Sequence, residues 1–114
     1  MSFKVNQRKT EDVTVLDVSG RIVLGEQTAG LLETLRNLAA GGEKKILLNL
    51  AEVTYVDSAG LGALVRSHTA VTEKEGQLKL LHVPPKVQTL LKITKLNHLF
   101  QSFDDEASAI QSFD

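Results

Sequence analysis

The sequence predicts an α/β protein: a mixed β-sheet, antiparallel in an N-terminal hairpin and otherwise parallel, with about four helices mainly on one face. Three observations carry this. Two short segments rich in β-branched residues open the chain, divided only by the polar run Thr10-Glu11-Asp12. The run Ile46-Leu47-Leu48-Asn49-Leu50 is apolar at both parities apart from Asn49, as in a central strand covered on both faces. After the hairpin, strand patterns alternate with helix spacings, so successive strands are joined by crossovers and run parallel, each crossover right-handed.

Each element has a local reason. In residues 3–9, Phe3, Val5 and Gln7 share one parity; in residues 12–19, Val13, Val15, Leu16 and Val18 are apolar, and Ser19-Gly20 ends the hairpin. Residues 26–40 place Leu31, Leu32, Leu35, Leu38 and Ala39 at helical spacing, and Gly41-Gly42 follows where a helix C-terminus favours glycine. Residues 45–50 form the central strand, with Val53 to Val56 as a short extended continuation. Leu61, Leu64, Val65, His68 and Val71 mark a second helix from Asp57-Ser58 to about Glu75, closed by Gly76. Leu78 to Val83 is a strand stopped by Pro84-Pro85, and a third helix carries Val87, Leu90, Leu91 and Ile93. Leu99 to Phe103 reads as a last strand, with Asp104 as N-cap of a final helix that turns Ala107 and Ile110 inward.

At 114 residues the chain has the size of one domain and enough apolar residues, 42%, to bury a core. No repeat, low-complexity tract or linker divides it, so residues 1–114 are expected to form a single domain. The net charge of −1, with both signs dispersed, argues against a nucleic-acid or polybasic membrane footprint. There is no cysteine, which removes disulfides, thiolate catalysis and sulfur-built zinc sites. The N-terminus lacks an apolar stretch of signal-peptide length, and no apolar run nears the ~18 residues of a membrane span. The expectation is a cytoplasmic protein without membrane insertion, and a monomer, because no large apolar stripe is left over.

The most informative stretch is Val53-Thr54-Tyr55-Val56-Asp57-Ser58-Ala59-Gly60-Leu61-Gly62, where strand gives way to helix. Two glycines in a first helical turn each cost about 0.5–1 kcal/mol relative to alanine. A sequence accepts that where a partner, a phosphate or the neighbouring sheet must approach the backbone. Ser58 is placed as N-cap or first-turn residue. Serine there is the ordinary cap. The same place suits a phosphate, because a helix N-terminus offers free N–H groups and partial positive charge. A phosphoserine would add about −1.5 to −2 charge, and Asp57 beside it adds like-charge repulsion.

Other chemistry finds little support. His68, His82 and His98 share no metal-ligand spacing, and His68 falls on the apolar side of its helix. Residue 56 is Val, so the Gly-x-Ser-x-Gly elbow of a hydrolase is absent. Gly60-Leu61-Gly62 lacks the Gly-Lys-Ser/Thr ending of a phosphate-binding loop. Lys86, Lys92 and Lys95 read as a solvated helix face. No catalytic residue, metal or cofactor is expected.

The run Asp57-Ser58-Ala59-Gly60-Leu61-Gly62 resembles the signature of the STAS-domain anti-sigma factor antagonists, in which a strand leads into Asp-Ser-(Ser, Thr or Ala)-Gly-Leu-Gly at the start of a long helix. The resemblance extends over essentially the whole chain, through Val18-Ser19-Gly20, Thr28-Ala29, Leu32, Leu35, the strand Ile46 to Leu50 and the closing Phe103-Asp104-Asp105-Glu106-Ala107. It implies the STAS fold and a non-enzymatic binding protein. In that family the unphosphorylated protein captures an anti-sigma factor that is also a serine kinase, and a sigma factor is released. The kinase then phosphorylates the serine matching Ser58, the complex separates, and a serine phosphatase resets the cycle. The implied partner-binding residues are Asp57, Ser58, Ala59, Gly60, Leu61 and Gly62. The chain departs from the pattern after the hairpin: Val23 stands where the family often has an acid associated with partner contact, and the link to Thr28-Ala29 is longer. Glu26 is the candidate to take over that role. The alternative within the same resemblance is a STAS scaffold or transporter accessory subunit, with Ser58 only a helix cap.

Overall fold

In the computed structural model, residues 3–113 are described. The order is β1 (Lys4–Thr10), β2 (Val13–Ile22), α1 (Glu26–Ala40), β3 (Lys45–Val56), α2 (Ser58–Glu73), β4 (Gln77–Leu81), α3 (Pro85–Ile93), β5 (Ser102–Phe103) and α4 (Glu106–Gln111). The strands lie in the order β1-β2-β3-β4-β5. β1 and β2 pair antiparallel from Lys4↔Ser19 to Thr10↔Val13, and all later neighbours pair parallel. The expected mixed sheet is therefore present. Glu11-Asp12 forms the hairpin turn, with Glu11 at a positive φ of 57°.

Strands that advance in one direction through right-handed crossovers carry their crossover helices on one face. Accordingly α1, α2 and α3 share one core: Leu31, Leu35, Leu61, Leu64, Val87 and Leu91 pack on Leu16, Val18, Ile46, Leu48 and Leu80. α4 follows the last strand, so no crossover constrains it, and it covers the other face. There Ala109, Ile110 and Phe113 pack on Val13, Val15, Leu47 and Leu81. The period-two alternation of β3 divides its side chains, Ile46, Leu48 and Leu50 to one core and Leu47 to the other. Each fully buried leucine contributes about 1.5–3 kcal/mol.

Several boundaries differ from the sequence expectations. β2 continues past Ser19-Gly20 to Ile22, with register shifts against β3 at Asp17/Ser19 and Gly20/Arg21. β3 is continuous to Val56 because its far half pairs with this extension, Arg21↔Tyr55 and Ile22↔Val56. The last strand shrinks to Ser102–Phe103, because only these residues pair with β4. Asp105, not Asp104, caps α4 by accepting from Ser108 N at 2.9 Å. Ile110 faces inward as expected, but its buried partner is Ala109, and Ala107 is exposed. Ile93, at the end of α3, is 73% exposed.

The second face also holds charge. Lys79 is buried, and its Nζ donates to the Ser112 carbonyl and to Ser112 Oγ, both at 2.9 Å, while lying 4.6 Å from the Phe113 ring centre. α4 has only six residues. It leaves room for the ammonium to reach the carbonyls at its own C-terminal end, where a cation is favoured. Lys79→Ala is expected to lower stability by about 2 kcal/mol. The urea midpoint reads this, and limited proteolysis should then cut first within residues 105–113.

No helix among the described residues is long and apolar enough to cross a membrane.

Candidate functional site

The site forms where the extended β2 and β3 end together. Asp57 is extended (φ −95°, ψ −177°), as an N-cap must be, and its Oδ1 accepts from Gly60 N at 2.7 Å. Its Oδ2 accepts from Leu24 N at 3.2 Å, which ties the link before α1 to the start of α2. These backbone donors, Gly60 first and then Leu24 and Ala59, with the charge of Arg21, hold the Asp57 carboxyl below the usual carboxylate range. Of the two places the sequence allowed Ser58, N-cap or first turn, it takes the second, because Asp57 is the cap.

Relieved of capping, Ser58 is the exposed first residue of the 16-residue α2. Ala59 is half-buried, Gly60 and Leu61 are buried, and Gly62 is half-buried. The two glycines answer different needs. A β-carbon on Gly60 would stand 1.9 Å from the Ile22 carbonyl oxygen, so this turn of helix touches the end of β2. A β-carbon on Gly62 would meet only Arg66, 3.3 Å from its Nη1.

Glu26 opens α1 and is exposed. It lines an open cleft of about 310 Å³ with Arg21, Val23, Leu24, Gln27 and Thr28. The Leu24–Asp57 bond brings this segment against the motif. Arg21 lies with its guanidinium 5.2 Å from the Tyr55 ring centre.

Sequence reasoning assigned no role to Leu24, Tyr55 or Arg66. Leu24 is 80% exposed and Tyr55 49%, large apolar surfaces on the link tied to Asp57 and on the end of β3 that leads into α2. The available signal was an apolar residue, Leu24, inside a glycine-bounded link from Gly20 to Gly25. The patch follows the common pattern in which apolar anchors surround an interface centre.

His68 is half-buried, edge-on to Phe100 with ring centres 5.3 Å apart, and burial pushes its pKa down. It is a boundary residue of the core. Among the described residues, no group of three or more His, Asp or Glu side chains is placed to hold a metal.

An exposed serine opening a helix that the preceding aspartate caps, on a five-stranded mixed sheet, defines the class, and comparison with known proteins agrees. The STAS domain family matches residues 4–109, and the chain belongs to that family. Two relatives are named as antagonists of anti-sigma factors. An anti-sigma-B factor antagonist of Staphylococcus aureus is 35% identical over 69 residues, 60% of this chain and 64% of the relative. An anti-sigma F factor antagonist of Paenibacillus polymyxa is 28% identical over 112 residues, 96% of this chain and 94% of the relative. The chain thus spans slightly under two thirds of the first relative's length. Among solved structures, the Bacillus cell fate determinant SpoIIAA in its phosphorylated form superposes with a TM-score of 0.73 at 15% identity, over 96% of this chain and 98% of that one. At that identity the likeness is one of fold.

Proposed function

We propose that this chain is an anti-sigma factor antagonist: unmodified, it binds an anti-sigma factor with serine kinase activity and so frees a sigma factor, and phosphate on Ser58 ends the binding. The observation that carries the reading is the free Ser58 hydroxyl, exposed at the head of α2 because Asp57 does the capping. The relatives' names and the existence of SpoIIAA in a phosphorylated form support it.

In the transfer, Ser58 Oγ attacks the γ-phosphorus of ATP. An Oγ–P bond forms, the bond from the β,γ-bridging oxygen to that phosphorus breaks, ADP leaves, and the hydroxyl proton goes to a base of the kinase. The protein supplies the acceptor and the docking surface and catalyses nothing itself. Asp57, Ser58, Ala59 and Gly62, with Leu24 and Glu26 beside them, make that surface, and the buried Gly60 and Leu61 hold its shape from beneath. A serine phosphatase would restore the hydroxyl. A single domain acting as a monomer in the cytoplasm, where RNA polymerase works, completes the reading.

Modification adds about −1.5 to −2 charge at an interface centre. An unpaired charge there costs ~1–3 kcal/mol, so Ser58→Asp is expected to weaken the partner complex by roughly 5- to 150-fold. Ser58→Ala is expected to keep binding and to lose release by ATP. The check is capture from extract of the source organism on immobilised protein, with and without ATP, while intact mass is followed. A captured kinase, one added phosphate at Ser58 and release of the complex support the reading. A partner that stays bound with ATP, with no phosphate added, would assign the chain to a scaffold or transporter assembly instead.

A further inference from the structure

We infer that Arg66 is the cation that receives the phosphate once Ser58 carries one, and that position 62 is glycine because the guanidinium lies across it. The inference rests on Ser58 being a phosphorylated residue, as proposed above.

Ser58, Gly62 and Arg66 are four residues apart in turn, so they stack along one face of α2. Long side chains on a helix point back toward its N-terminus. Arg66 does so: Nη1 lies 3.3 Å, and Cζ and Nη2 4.0 Å, from where a Gly62 β-carbon would stand. The guanidinium is therefore already held one turn from Ser58, over a position with no side chain.

The surroundings leave this cation free. Arg66 takes part in none of the ion pairs among the described residues. It lines a groove of about 130 Å³ between α1 and α2 with Leu24, Gly25, Thr28, Ala59 and Ala63. Ala59, the residue after Ser58, is the groove's lining residue nearest the start of α2. Its walls are mainly apolar, which weakens solvent screening. Thr28 Oγ1, buried among them, has no hydrogen-bond partner.

The other charged groups nearby are held in other places. Asp57 accepts from the Gly60 and Leu24 amides. Arg21 sits over Tyr55, and Glu26 lines the adjoining cleft, which shares Leu24, Gly25 and Thr28 with the groove. Arg21, whose charge is felt at Asp57, is the other cation on this side, but Arg66 is the one on the phosphate's own helix, laid back over Gly62 toward Ser58. The guanidinium fork matches phosphate oxygens in bidentate fashion. Drawn onto its own helix, the phosphate changes the shape of the face offered to a partner as well as its charge.

The test needs no kinase. Phosphoserine is placed at position 58 during translation, and its second ionisation is followed by phosphorus NMR. With Arg66 present, the phosphate is expected to titrate about half a pH unit lower than in Arg66→Gln. Gly62→Leu keeps the cation but fills its place, and should behave like Arg66→Gln. The Nε–H signal of Arg66 should also move on phosphorylation. A phosphate that titrates at the same pH with and without the Arg66 charge, or a stationary Arg66 signal, overturns the inference. Because the phosphate is installed directly, this outcome is separate from whether a partner kinase is captured from extract.

Discussion

Gly60→Ala is expected to destabilise the protein by about 3 kcal/mol or more, and Gly62→Ala to stabilise it by about 0.5–1 kcal/mol. The two positions share a helix and a residue type and stand two residues apart near its start. They differ in what stands beside them. At Gly60 the added methyl would lie 1.9 Å from the Ile22 carbonyl oxygen, and backbone cannot step aside as a side chain can. Either α2 moves off the end of β2, breaking the Asp57 N–Ile22 O bond of 3.3 Å and loosening Leu61 and Leu64, or the helix start unravels. At Gly62 the methyl meets only the tip of Arg66, which can swing into solvent. What remains is the ordinary gain from removing a helical glycine. Denaturant unfolding of the two variants measures both. Equal losses at the two positions would refute the close approach of α2 to β2.

Arg8→Ala is expected to cost about 1–2 kcal/mol at neutral pH and to flatten the protein's acid sensitivity. Arg8 is the hub of the polar end of the second face. Its Nε and Nη2 donate to the two oxygens of Asp17 at 2.7 and 3.1 Å, and its Nη1 and Nη2 donate to the two oxygens of Glu106 at 2.9 and 2.8 Å. Asn49 donates to the same Asp17 at 2.9 Å. One guanidinium thus joins β1, β2 and α4, and both carboxyl groups are held below the usual carboxylate range, in each case chiefly by the hydrogen bonds from Arg8. Carboxyl groups with lowered pKa bind fewer protons folded than unfolded. Their contribution is present above the unfolded range near ~4 and is lost as pH falls through the lower folded values. The groups are about one-third exposed, so solvent screening reduces the effect. Unfolding midpoints followed from pH ~5 down to ~2.5 should fall more steeply for the native protein than for Arg8→Ala. Parallel slopes would remove the network from the stability of α4.

Much of this was legible in the sequence. The hairpin, the central strand and α1 follow from periodicity and glycine punctuation, because the residues that decide them are local. The site was legible as a motif, since Asp57-Ser58-Ala59-Gly60-Leu61-Gly62 is contiguous. The short β5 and the α4 cap were misplaced because neither has a periodic signal of its own. β5 exists only through its pairing with Leu80 and Leu81. Asp104 and Asp105 are equivalent as local caps until the packing of Ile110 fixes the helix phase. The Arg8 hub spans 98 residues to Glu106, beyond any spacing rule.

The sequence by itself determined the class of fold, the serine and the helix that presents it, because strand pattern, helix pattern and capping chemistry act over a few residues. Only the tertiary structure decided which residue caps α2, why Gly60 and Gly62 differ, that Leu24 is tied to Asp57 and that Arg66 lies over Gly62. Those depend on where β2 ends against α2, a contact between chain segments roughly forty residues apart that no local pattern encodes.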